Sequence, residues 1–177
     1  MAELPTYKTK RLIVRPRLIG DVEDCLSMDR DPLVTRYISG PWRKPSKHRE
    51  FVLSRMTTDY PDGLGYWSVV NQTKPDEFLG WILLLPYANV NREVEIGWRF
   101  NRKSWGCGYA TEAATAIINH GLQILGLDRI VADIDPQNTP SIKVAEKIGM
   151  RFVEDRFFDE EIAKSYQVTK PRTSMTT

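Results

Sequence analysis

Cysteine and histidine are scarce in this 177-residue chain: Cys25 and Cys107 are the only cysteines, His48 and His120 the only histidines. With so few and so far apart, neither a disulfide framework nor a Cys/His cluster of metal-ligand spacing is expected. Long apolar runs are missing as well. None approaches the roughly 18 residues of a membrane span, and the opening Met-Ala-Glu-Leu-Pro lacks a basic segment followed by an apolar one, so neither a membrane anchor nor a secretory leader is expected. An excess of one charge is also absent, since 25 Lys and Arg meet 23 Asp and Glu for a net +2. Electrostatics therefore do not call for nucleic acid or an anionic membrane surface. There is no internal repeat, no low-complexity tract and no linker composition. The expectation is one reduced, cytoplasmic domain over residues 1–170, with a disordered polar tail at 171–177.

What the chain does contain is a change of period along its length. Residues 11–15 (Arg-Leu-Ile-Val-Arg) suit a strand, followed by Pro16. Asp21 is placed to cap a helix carrying Val22, Cys25, Leu26 and Met28, which should stop before Asp31-Pro32. A second helix is expected over 46–59, with Phe51, Val52 and Met56 inward. Three strands of a meander follow at 65–70, 77–84 and 93–98, separated by polar turns. Ala110, Ala113, Ala114, Ile117, Ile118 and Gly121 then recur at helical spacing and form a small-residue face suited to a sheet. A buried strand at 129–134, a helix opened by Asn138-Thr139-Pro140-Ser141 and stopped by Gly149, and strands at 150–155 and 165–169 complete the order. That order, β-α-α-β-β-β-α-β-α-β-β, is a mixed α/β sheet with helices on both faces.

The most informative segment joins the meander to the small-residue helix: Lys103-Ser104-Trp105-Gly106-Cys107-Gly108-Tyr109-Ala110-Thr111-Glu112-Ala113. Glycines two apart let the backbone approach a ligand, and the first N–H groups of the helix have no internal partner and lie at the positive end of its dipole. A phosphate or pyrophosphate suits such a place, though a tight connection with no ligand has the same pattern. The Gly-Lys-Ser/Thr of a nucleoside-triphosphate loop is missing, as are the third glycine and later acid of a dinucleotide fingerprint.

This segment resembles the acetyl-coenzyme A loop of the GNAT N-acetyltransferase superfamily, in the Trp-Gly-x-Gly-Tyr-Ala-Thr-Glu-Ala form of its RimJ/RimL-like branch. Thr9-Lys10-Arg11-Leu12-Ile13-Val14-Arg15-Pro16 is similar to that branch's first strand and Glu95-Ile96-Gly97-Trp98 to its fourth. Asn138-x-x-Ser141 with Gly149-Met150-Arg151-Phe152 is similar to its last helix and the strand after it. Lys103 departs from the usual Arg or Gln, keeping a donor but losing the planar fork. The resemblance implies a GNAT fold in which the strands of Glu95 and Ala132 splay around the pantetheine arm, with a bulge near Gly97. It implies acetyl-CoA as cosubstrate, contacted by Ile96, Gly97, Trp98, Lys103, Ser104, Trp105, Gly106, Cys107, Gly108, Tyr109, Ala110, Thr111, Asn138 and Ser141. The acceptor it implies is a primary amine, either a protein N-terminal α-amine or a small aminoglycoside, polyamine or amino acid. A non-catalytic coenzyme A sensor or interaction module is the alternative, and a homodimer is admitted.

Transfer to an amine needs a base for the ammonium, a donor to the carbonyl oxygen and a proton for the thiolate. Glu95 is the candidate base and Glu93 its competitor, against the reading that both are solvated partners of Arg92 and Arg99. Ser141 is the candidate proton donor with Asn138 beside it, although both residues also suit ordinary helix capping. Cys107 lies where a thiolate is favoured, yet no histidine is near it in sequence and the resemblance implies direct transfer. Tyr37, Trp42 and Glu93 are the candidate acceptor-pocket residues; Trp98, in a strand, is read as core.

Overall fold

The structure is a computed structural model that describes residues 4–87, 93–158 and 161–170. Its elements are β1 (Tyr7–Lys8), β2 (Leu12–Pro16), α1 (Val22–Asp29), α2 (Pro45–Thr57), β3 (Gly65–Asn71), β4 (Phe78–Pro86) and β5 (Val94–Phe100). Then come α3 (Tyr109–Asn119), β6 (Arg129–Ile134), α4 (Thr139–Lys147), β7 (Arg151–Phe158) and β8 (Glu161–Thr169). Apart from the two-residue β1, this is the order expected. The expected tail at 171–177 and the partner Arg92 lie outside the described residues.

One eight-stranded sheet runs β1-β2-β3-β4-β5-β6-β8-β7. Every pairing is antiparallel except β5 with β6, and α3 supplies the crossover that a parallel pair requires. Alternation along the strands separates two cores. Leu12, Val14, Trp67, Val69, Ile82, Leu84 and Ile96 pack with Ala113, Ala114 and Ile117 of α3 and Ala145 of α4 on one face. Tyr66, Phe78 and Trp81 pack with Cys25, Leu26, Met28 and Val52 of α1 and α2 on the other. Trp98 packs against the first core, as read. The alanine face of α3 lets helix and sheet come close. A Cβ on Gly121 would stand 2.6 Å from the Ile130 Cδ1.

Two local expectations are corrected, and one helix end takes a form that no local pattern announces. The β-bulge near Gly97 is absent: β4 and β5 stay in unbroken register from Gly80↔Phe100 to Pro86↔Val94. Asp21 does not cap α1 through its side chain. Its carboxylate instead accepts from the Arg15 guanidinium, the Ser68 hydroxyl and the Leu18 N–H, all at 2.7–2.8 Å, because a two-pronged arginine partner outcompetes an ordinary cap. The helix after the glycine turn does not end in regular α form but in a π turn over His120–Ile124. There His120 Nε2 lies 2.8 Å from the Gly63 carbonyl and Nδ1 2.7 Å from the Tyr7 hydroxyl. A carbonyl only accepts, so Nε2 carries the proton and Nδ1 accepts from Tyr7, which fastens β1 to α3.

Candidate active site

The glycine turn is held open by conformation and anchored by charge. Gly106 and Gly108 have φ of +71° and +78°, the left-handed region that favours glycine, and Gly108 stands at the N-cap with no side chain capping α3. The first N–H groups of α3 therefore face outward from the turn unpartnered by a cap. Trp105 donates its indole N–H to the Phe100 carbonyl at 2.9 Å, while the buried Ser104 Oγ has no hydrogen-bond partner among the described residues. Cys107 is exposed, and its carbonyl accepts from Arg11 Nη1 at 2.8 Å. Lys103 reaches Glu77 at 3.6 Å.

Glu112, one turn into α3, ties this loop to the start of the sheet, a role the sequence reading missed. Its carboxylate accepts from the Arg11 backbone N–H and Arg11 Nε, both at 2.8 Å, and from the Thr9 hydroxyl at 2.6 Å. Burial pushes this carboxyl up, but the hydrogen bonds from Thr9 and Arg11 outweigh it and hold the group below the usual glutamate value. The partners lie about a hundred positions earlier, so no local pattern announces them. The Thr-x-Arg of the first strand was the only available signal.

Beside the turn, β5 and β6 separate. They pair only at Glu95↔Val131, so Ile96, Gly97 and Trp98 have no β6 partner and leave backbone groups on that edge free. The opening arises from divergence of two parallel strands following different packing, not from an inserted residue. Glu95 lies half-buried at the point where they meet. Burial, followed by the negative charge of Asp133 and opposed by Arg156, pushes its carboxyl up to about 7. Asp133 accepts a short hydrogen bond from the Tyr87 hydroxyl and lies 3.6 Å from Arg156, while its Oδ1 is buried without a partner among the described residues.

Glu93 is placed quite differently. It precedes β5 and is 5% exposed, with its carboxylate 2.8 Å from Arg129 and 3.1 Å from Arg156. Neither acid is a solvated partner of Arg99, which lies further along the same face of the strand and binds Asp29 at 2.7 Å. Asn138 is an N-cap, its Oδ1 accepting from the Ser141 N–H at 3.3 Å. The Ser141 hydroxyl forms no hydrogen bond among the described residues. Thr111 is half-buried in the first turn of α3, and its carbonyl accepts from Thr115. Trp42 is built into the second core's rim: its indole donates to the Ile38 carbonyl, and its ring meets His48, Phe51 and the Arg99 guanidinium. Tyr37 is half-buried beside Arg36.

A sequence profile of the acetyltransferase (GNAT) domain matches residues 11–151. YkkB, an uncharacterized protein of Bacillus subtilis (strain 168), is 38% identical over 123 residues, covering 69% of this chain and 70% of YkkB. YnaD, an uncharacterized N-acetyltransferase of the same organism, is 33% identical over 156 residues, covering 88% and 87%. Among solved structures, the GNAT-family acetyltransferase of Bacillus anthracis superposes with a TM-score of 0.79 at 30% identity, over 93% of this chain and 98% of that one.

Proposed function

The chain belongs to the GNAT acetyltransferases, and from that premise we propose that it moves the acetyl group of acetyl-CoA directly onto a primary amine, with Glu95 as the base. The observation that carries this assignment of the base is a half-buried carboxyl with a proton affinity near neutrality at the one contact point of two diverging strands. A base poised near working pH takes a proton efficiently, and about half of it is ionised there. Glu93, neutralised by two arginines, is a structural acid and not the competitor it resembles in sequence.

The coenzyme, as substrate, supplies the acetyl thioester. Its pyrophosphate suits the backbone N–H groups of residues 105–111, with the Thr111 hydroxyl as an added donor, and its amide arm suits the unpaired β5 edge at Ile96, Gly97 and Trp98. The acceptor arrives as an ammonium, Glu95 removes one proton, and the freed lone pair attacks the thioester carbonyl carbon. Backbone N–H groups of the same edge polarise the carbonyl oxygen. The carbon–sulfur bond then breaks and the nitrogen gives up its second proton, while the sulfur takes a proton that we assign to the Ser141 hydroxyl; the serine is restored by the proton the nitrogen released, passed through solvent, and Asn138 fixes the turn that presents it. In the RimJ/RimL-like branch the acceptor is a protein α-amine, and small amines fit the same chemistry. Both cysteines are free thiols, which suits the cytoplasm, and no helix among the described residues is long and apolar enough to cross a membrane.

The test is acetyl-CoA consumption, followed as free thiol, over a panel of amines and N-terminal peptides, together with calorimetric coenzyme binding. Binding with amine-dependent thiol release is expected. Binding without thiol release for any amine would make the chain a coenzyme sensor and overturn the proposal.

A further inference from the structure

Arg15 and Arg17 lie two residues apart at the end of β2, and their surroundings differ. Arg15 makes a two-pronged pair with Asp21, its Nη1 and Nη2 each 2.8 Å from a carboxylate oxygen. Arg17 has no carboxylate partner among the described residues, and its Nε and Nη2 are buried without any acceptor. Its guanidinium lies 3.7 Å from the centre of the Tyr66 ring. The groups packed around it are neutral: burial pushes the Cys25 thiol up to about 12 and raises Tyr66 as well, so neither supplies a counter-charge. Burial also pulls Arg17 itself below the ordinary arginine value, as expected of a cation desolvated without an anion.

This residue is part of the wall of a cavity of about 230 Å³, with Arg55, Tyr60, Tyr66 and Leu64 among its lining. Arg55 comes from α2 and is stacked 3.5 Å from the Phe51 ring centre. Asp59 is the one acid in that lining; it is exposed and makes no ion pair with either arginine. Two guanidiniums therefore border one space with no buried acid among the described residues to match them. A desolvated cation is costly unless an anion joins it, and a forked guanidinium fits a carboxylate or phosphate best.

The strand register relates this cavity to the transfer site. Tyr66 pairs with Leu83 and Leu83 with Gly97, so the cavity's aromatic wall lies two strand spacings, roughly 10 Å, from Gly97. Both ends are on one face of the sheet, since Tyr66 and Leu83 belong to the α1/α2 core and a Cβ on Gly97 would touch the Leu83 side chain at 3.2 Å. Glu95, two residues from Gly97, shares that face.

We propose that the Arg17–Arg55 cavity is an oxyanion subsite that holds a carboxylate or phosphate of the acceptor, about 10 Å from the amine delivered to Glu95. The spacing rests on the acetyl-transfer reading above, whereas the anion site does not. It selects elongated amines with an acidic far end over neutral or purely cationic ones.

Two measurements on the full chain test it. Calorimetry with inorganic phosphate is expected to show binding that weakens roughly tenfold or more in Arg17→Met and in Arg55→Gln. Arg17→Met keeps the stem and removes an unpaired buried charge, so it should fold at least as well as the parent. Steady-state kinetics then compare a straight-chain ω-amino carboxylate spanning about 10 Å with its neutral amide. The carboxylate should have a KM roughly tenfold lower, a preference lost in Arg17→Met while the KM for acetyl-CoA stays unchanged. No phosphate binding together with equal KM values would sink the subsite. Phosphate binding lost in the variants, with no preference between the amines, would keep the oxyanion site and overturn its assignment to the acceptor. Phosphate binding with no turnover of any amine would instead count against acetyl transfer.

Discussion

Glu95 shows how neighbours set the proton affinity of a single carboxyl. Its ordinary value of 4.5 rises to about 7 because packing removes water and Asp133 adds a like charge, with Arg156 opposing both. The rate constant kcat/KM should therefore rise with pH through about 7, and Glu95→Gln should abolish that limb along with most of the turnover. Asp133→Asn should move the limb to lower pH and Arg156→Met to higher pH; limbs that stay put would remove Asp133 from its role. The linkage has the opposite sign to that of a salt-bridged acid. Between pH 4.5 and 7 the unfolded chain releases this proton while the folded one keeps it, so stability falls as pH rises. The whole loss is roughly 3 kcal/mol at most, and Glu95→Gln should recover it. Urea unfolding at pH 4.5 and pH 8 checks this: the variant should match the parent at the acid end and exceed it at the alkaline end. Sequence could not separate Glu95 from Glu93, because what separates them is contributed by Arg129 on β6 and Arg156 on β7.

The turn before α3 owes its shape to its own glycines but its position to a distant acid. Positive φ at Gly106 and Gly108 is legible from residue type and spacing, whereas the grip of Glu112 on Thr9 and Arg11 depends on β2 lying beside the helix start. Glu112→Gln keeps the side chain's size and loses the ion pair. Its KM for acetyl-CoA should rise about three- to tenfold, a coenzyme effect of roughly 1 kcal/mol, with kcat little changed. An unchanged coenzyme KM would show that the turn holds its shape without the clamp. Elements with strong periodicity, such as β3 to β5 and α3, were readable from the chain. The two-residue β1 was not, since it exists only because Tyr7 meets His120 and pairs with Val14. The bulge assigned to Gly97 failed for a related reason: a glycine in a strand also serves a regular ladder, and the gap it was meant to explain comes from β6.

Across the whole molecule, one buried polar network fastens the α1/α2 layer to the sheet. Asp29 at the end of α1 accepts from Arg99 of β5 at 2.7 Å and lies 3.2 Å from His48 Nε2 of α2, with all three side chains at least nine-tenths buried. Removing the acid would strand a guanidinium whose Nε already lacks a partner among the described residues. Asp29→Ala is therefore expected to cost about 3–5 kcal/mol in urea unfolding, far more than loss of the exposed Glu23–Arg49 pair. A cost under about 1 kcal/mol would mean that water replaces the carboxylate there.

The sequence alone determined the order of the main elements, the two faces of the sheet and the place of the glycine turn before α3. Each depends on period, capping residues or glycine, which act over a few positions. Tertiary structure alone decided which of two nearby glutamates carries a proton near neutrality, what anchors the turn and where an unmatched arginine meets a cavity. Those depend on desolvation and on charges brought together from positions far apart along the chain, and neither quantity exists until the chain has folded.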